Sequence, residues 1–147
     1  MNKQITLIST LILGSLLLAG CDSKSADPDH RIALKLPADE RHLVLTEMRN
    51  FVIAIQSILD NLAIGNMEKV AEAARAMGMN AANEIPPRVV AKLPKSFKQF
   101  AGKVHTTFDM IAMDAEAFGE KDQTLTQLGT LMKHCVACHA MYQIRVE

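Results

Sequence analysis

Five residues near the C-terminus carry the clearest chemistry: Cys135-Val136-Ala137-Cys138-His139. Cys-x-x-Cys-His is the attachment signature of c-type haem. Each thiol adds to one vinyl group of the porphyrin, and the adjacent imidazole takes the iron as its proximal ligand. On a helix the two cysteines and the histidine stand at i, i+3 and i+4, so all three project the same way. One turn can therefore present both thioethers and the iron ligand to one face of a macrocycle. Other uses of the two thiols fit less well. Zinc would need two further ligands, and there is no second cysteine pair. A thioredoxin-like redox pair expects a strand-to-helix setting. A disulfide between cysteines this close would enclose almost no loop and would staple little.

The third cysteine, Cys21, belongs to a different signal. Met1-Asn2-Lys3 is a short positive start, and residues 5–18 are an apolar run broken only by Thr, Ser and Gly. A run of about 14 residues is short for a bilayer but suits the hydrophobic part of an export signal. It ends in Leu18-Ala19-Gly20-Cys21, which is similar to the bacterial lipoprotein signal, where the cysteine is acylated and becomes the new N-terminus. An ordinary cleaved signal peptide and a transmembrane anchor are the competing readings. Residues 1–20 are thus expected to be a lipoprotein signal peptide and 21–38 a lipid-anchored flexible tether, polar and carrying Ser23, Ser25, Pro28 and Pro37. Asp22 resembles the inner-membrane retention signal of some lipoproteins. The expected location is the periplasmic side of a bacterial membrane, with the inner membrane favoured.

The elements that must position the motif are helices. No Trp, one Tyr and five Phe against nine Met favour helix over sheet, and 147 residues suffice for one domain. Lys plus Arg balance Asp plus Glu at 16 each, which leaves no nucleic-acid footprint. From an N-cap at Asp39, Leu45, Met48, Val52, Ile55, Leu59 and Leu62 form one apolar stripe that Gly65-Asn66 ends. A second helix over about 67–83 carries Val70, Ala74, Met77 and Ala81 and is stopped by Pro86-Pro87. A third carries Phe97, Phe100, Val104, Phe108, Ile111, Ala115 and Phe118. A fourth starts near Asp122 and carries Leu125, Leu128, Met132, Cys135, His139 and Tyr142. The pattern predicts an all-α fold over 39–147, an antiparallel up-down-up-down four-helix bundle.

Over 39–147 the chain resembles the cytochrome c′ superfamily of helical bundles, including its low-spin Met-ligated members and the related soluble b-type four-helix cytochrome. The resemblance rests on the Cys135–His139 motif near the C-terminus, Tyr142 three residues later, Met48 early in the first helix and the Pro86-Pro87 break. It implies one haem c with its iron, held by His139 and, on the far side, Met48. It also implies a propionate contact from Arg41. The families commonly carry Arg directly after the Tyr, where this chain has Gln143, and Arg145 comes two residues too late.

Depth in the bundle bears on the far-side ligand independently. His139 is 8 residues from the chain end, about 12 Å along a helix axis, and Met48 is 9 past Asp39, about 13 Å. Met77 lies at similar depth but on a helix diagonal to the fourth. His105 is at the right level yet one position off its stripe, and Met110 and Met113 are about two turns too deep. Core filling is the alternative role for each methionine. A His–Met pair implies an electron carrier rather than an enzyme, exchanging electrons with redox partner proteins, lipid-held at the membrane and with a homodimer left open. A vacant far side would instead imply a five-coordinate protein binding nitric oxide or carbon monoxide.

Overall fold

Proline and glycine punctuate this chain, and the Ala-, Leu- and Met-rich stretches between them are helical. The computed structural model describes residues 29–147, and 76% of it is helix. The expected lipoprotein signal, Cys21 and Asp22 lie outside the described residues. Strand β1 (Ile32–Leu36) leads into α1 (Ala38–Ile64), then α2 (Met67–Arg75), α3 (Met79–Ala82), α4 (Pro87–Lys92), α5 (Lys95–Ala117) and α6 (Lys121–Met141). Strand β2 (Tyr142–Val146) follows α6 directly. Arg31–Glu147 forms one compact unit. Among the described residues no helix is long and apolar enough to cross a membrane.

The helix ends expected from local signals are present. At the end of α1, Gly65 takes φ +76, and the amides of Gly65 and Asn66 return to the carbonyls of Leu62 (3.1 Å) and Asn61 (2.9 Å). Those paired bonds are the left-handed stop that glycine makes without steric penalty. Asn66 then caps α2, its side chain accepting from the Lys69 amide at 3.1 Å. Pro86 and Pro87 open α4, where a missing N–H costs nothing.

Four expectations change. Pro37, not Asp39, occupies the N-cap of α1, and Asp39 joins Glu40 as a carboxylate in the first turn. The single helix over 67–83 is two pieces broken at residues 76–78. Gly78 lets α5 approach there: a Cβ on it would lie 1.8 Å from Asp109 Oδ1, and Asp109 Oδ2 accepts the Met79 amide at 2.9 Å. The stretch assigned to the tether is not all tether, because β1 pairs in parallel with β2, Ile32 opposite Tyr142 through Leu36 opposite Val146. The folded unit therefore begins at Arg31 rather than 39. Tyr142 leaves the helix and starts β2. Ile32, Leu34 and Leu36, and Tyr142, Ile144 and Val146, alternate with period two, the strand signal.

Two cores result. The central one joins α1, α2, α5 and α6 through Ile58, Val70, Phe108, Ile111 and Leu131. The other, at the end carrying β1 and β2, joins Leu36, Val44, Val89, Phe97, Cys138 and Tyr142. Helices pack closely as α1 on α2, α2 on α5 and α5 on α6, and α1 with α6 is not among the close pairs.

Candidate functional site

Cys135, Cys138 and His139 occupy the last two turns of α6. Cys138 is buried in the second core, Cys135 is half-buried against the central one, and His139 is exposed. Both cysteines are free thiols. Burial raises the Cys135 thiol above its ordinary value, and burial together with the neighbouring Cys135 raises Cys138. Both stay protonated at neutral pH, the opposite of the depressed thiol of a reactive Cys-x-x-Cys pair. Among the described residues no three His, Cys, Asp or Glu side chains gather as a multidentate metal site requires. Haem iron asks less of a protein, because the porphyrin supplies four of its ligands.

Tyr142 holds the end of the motif against α5. Its hydroxyl pairs with Ser96 Oγ at 2.5 Å, and its ring meets Phe97 edge-on at 5.6 Å. On the other side Arg31 Nη1 donates to the carbonyl of His139 at 3.2 Å and reaches that of Tyr142 at 3.5 Å. Gln143, standing where an arginine was expected, donates from Nε2 to the Arg31 carbonyl at 3.1 Å. Arg145 Nε turns to Gln143 Oε1 at 2.7 Å.

Met48 is half-buried and packs on the second core, which contains Cys138 and Tyr142. A hydrogen bond from Arg41 Nε to the Ile144 carbonyl, 3.1 Å, fixes α1 against β2. From that bond Met48 is about 10 Å along α1, and His139 is about 11 Å back through β2 and α6. The axial count used for the sequence changes, since 142–146 is strand, but the two side chains remain at matching path lengths. Arg41, expected to reach a propionate, is committed through Nε to strand β2.

The other methionines and histidines are placed differently. Met77 packs on the central core, and Met110 and Met113 are exposed on α5. His105 is buried, with 2% of its surface exposed, and both ring nitrogens are engaged. Nδ1 faces the carbonyls of Met77 (2.9 Å) and Gly78 (3.1 Å), while Nε2 lies 3.3 Å from Glu47 Oε1. The Glu47 contact is a charge pair whose geometry falls short of a hydrogen bond, since Oε1 has no hydrogen-bond partner.

The flanks beside Met48 and His139 are apolar and open. On α1 the flank toward α2 is sealed by Ala54, whereas Val52 is 65% exposed and Leu59 46%. On α6 the flank toward α5 carries Gln127, whose Nε2 donates to Asp114 Oδ2 at 2.6 Å. Its other flank leaves Leu125 50% and Val136 64% exposed, with Met132 between them. Of the predicted stripes, Leu45–Leu62 on α1 is buried at Leu62 and Leu125–His139 on α6 at Leu128, and the rest of each is not the most buried face. The other deep contacts belong to Val44, Ala54 and Ile58 on α1 and to Thr124, Leu131 and Cys138 on α6. Each helix is apolar over two adjacent stripes, and periodicity alone does not choose between them.

Sequence reasoning missed Arg31, the Glu47–His105 pair and the Gly78–Asp109 approach. The alternation in 32–36 signals a strand that would carry Arg31. Nothing local signals the other two, whose partners lie on different helices. Comparisons with protein-family models, curated proteins and solved structures find no match to this chain.

Proposed function

We propose that this chain is a single-haem c-type cytochrome of the cytochrome c′ superfamily, an electron carrier held by lipid at Cys21 on the periplasmic side of a bacterial membrane. The observation that carries the reading is the donor set on α6 beside two open apolar flanks. Two protonated thiols and an exposed imidazole share the end of one helix, and the Met48 thioether on α1 packs on the same core as Cys138. A flat apolar macrocycle between α1 and α6 at this level would cover Val52 and Val136, each about 5–6 Å along its helix from the proposed ligand, and burial of such surface contributes about 25 cal/mol per Å². In this reading α1, α2 with α3, α5 and α6 make the up-down-up-down bundle, closed on its fourth side by the cofactor.

The chain's own residues have separate tasks. Cys135 and Cys138 tether through thioethers, each S–H adding across a vinyl C=C with no atom lost. His139 would ligate from α6 and Met48 from α1, and the flanking Val52 and Val136 side chains would exclude water from between them. Haem iron ligated by an imidazole and a thioether changes oxidation state without an open coordination site.

Acid or detergent unfolding of the exported protein should leave the colour on the polypeptide, and replacing both Cys135 and Cys138 by Ala should release it completely. Extraction of wild-type haem into organic solvent would sink the covalent assignment. Optical spectra of the oxidised and reduced protein test the ligand pair, with low-spin six-coordinate iron expected. A high-spin oxidised spectrum would move the reading to a five-coordinate protein that binds nitric oxide or carbon monoxide.

A further inference from the structure

Helix α6 stops at Met141, three residues after Cys138, with no glycine or proline to stop it. Ala140-Met141-Tyr142-Gln143 includes good helix formers. The backbone at Tyr142 is extended, φ −123 and ψ 148, not left-handed. At the equivalent end of α1, Gly65 and Asn66 close the helix with bonds of their own. At the end of α6 the chain supplies one such bond, from the Tyr142 amide to the Cys138 carbonyl. The His139 carbonyl is taken by a residue 108 positions away, Arg31. β1 then pairs with 142–146 along its length, and Gln143 closes the loop by donating to Arg31's own carbonyl.

We infer that Arg31 is a positioning residue for His139, ending α6 at Met141 and thereby fixing the turn that carries the imidazole. This rests on the reading of His139 as an iron ligand. A guanidinium is suited to the place. Helix C-terminal carbonyls carry partial negative charge, so a cation there is stabilised, and the two N–H bonds of Nη1 can address both carbonyls at once. Apart from His139 itself, the last turn of α6 has no basic residue to do this. Without Arg31 the helix formers Ala140, Met141 and Gln143 favour continuing the helix against the strand pairing that begins at Tyr142. Continuation would draw Tyr142 away from Ser96 and Phe97 and loosen the turn that sets His139.

The test uses the full chain with Arg31→Gln, which removes the charge, and Arg31→Lys, which keeps it. In the haem-free protein, hydrogen exchange at the amides of residues 140–143 should quicken on the order of tenfold in Arg31→Gln, as expected for losing one charged hydrogen bond, and partly recover in Arg31→Lys. Exchange in the centre of α5 should not change. In the haem-loaded protein the reduction potential and the low-spin fraction should shift in Arg31→Gln and recover in Arg31→Lys. Unchanged exchange at 140–143 overturns the proposal, as does a uniform acceleration across all helices, which marks Arg31 as a general stabiliser. A local exchange effect with no covalent haem on the wild type leaves Arg31 ending α6 and removes His139's role as a ligand, so the two readings fail separately.

Discussion

The two sides of the helical unit are built from different residues. Where α2 packs closely on α5, Ala71 and Ala74 of one helix and Ala112 and Ala115 of the other are all buried in the central core. Where α1 and α6 carry Met48 and His139, the flanks hold Val, Leu and Met side chains that stay exposed, and the helices are not closely packed. Small residues seal one side by protein alone. Large apolar residues on the other offer surface without a protein partner, which suits a bound planar group. On the proposed function, the contrast separates two kinds of apolar periodicity, one buried against the chain itself and one against a group the chain would hold.

Substituting the open side should change the cofactor more than the fold. Met48→Ala is expected to convert low-spin iron to high-spin and to admit carbon monoxide readily, read by optical spectroscopy. Because Met48 is half-buried, the stability loss should be about 1–2 kcal/mol, below the range for a fully buried Met. A low-spin spectrum identical to wild type would remove Met48 as the ligand and make Met77 the next residue to test.

Enlarging the closed side should do the reverse. Ala74→Leu forces a larger side chain between α2 and α5 and is expected to destabilise the haem-free protein by about 1–3 kcal/mol in urea unfolding. Val52→Ala, on the open flank, should change that stability by no more than about 0.5 kcal/mol. If Val52→Ala destabilises the haem-free protein as much as Ala74→Leu, the two sides are not different.

The closed side also contains a single-atom tolerance. Gly78→Ala would drive a methyl into Asp109, whose carboxylate must swing away and release the Met79 amide. The expected loss is about 1–3 kcal/mol, measured as a lowered melting temperature. Adding Asp109→Ala to Gly78→Ala should add little further loss if this contact is the cause.

The smallest effect is in pH. Burial disfavours the charged form of His105, but the contact with Glu47, the Met77 carbonyl, the Glu47 charge and the Gly78 carbonyl outweigh it, so its pKa is raised. A folded value above the unfolded one of about 6.5 gives stabilisation present in full below that pH. It is lost as pH rises through the folded value. Melting temperature of the haem-free protein should fall across that interval, and Glu47→Gln should flatten the fall. An equal slope in both proteins would show that another group governs it.

Much of this was legible in the sequence. Cys135, Cys138 and His139 needed only their spacing, because a helix brings i, i+3 and i+4 together whatever surrounds it. The stop at Gly65 and the break at Pro86-Pro87 were equally local, being matters of φ and a missing N–H. The all-α class followed from composition and periodicity, and 76% helix agrees.

Tertiary structure decided the rest, wherever two local answers were nearly equal in energy. Tyr142 sits at the right spacing to continue α6 and in the right alternation to begin a strand, and the choice belongs to β1 and to Arg31 just before it, far away in the chain. α1 and α6 each have two adjacent apolar stripes, and which one is sealed depends on where α2 and α5 lie. His105 falls beside its helix's stripe, yet Glu47 and two carbonyls from a broken helix give it buried partners. Sequence by itself determines what depends on one residue's sterics or one helical turn. Pairings between distant segments are decided only when the chain closes, since no local energy distinguishes them beforehand.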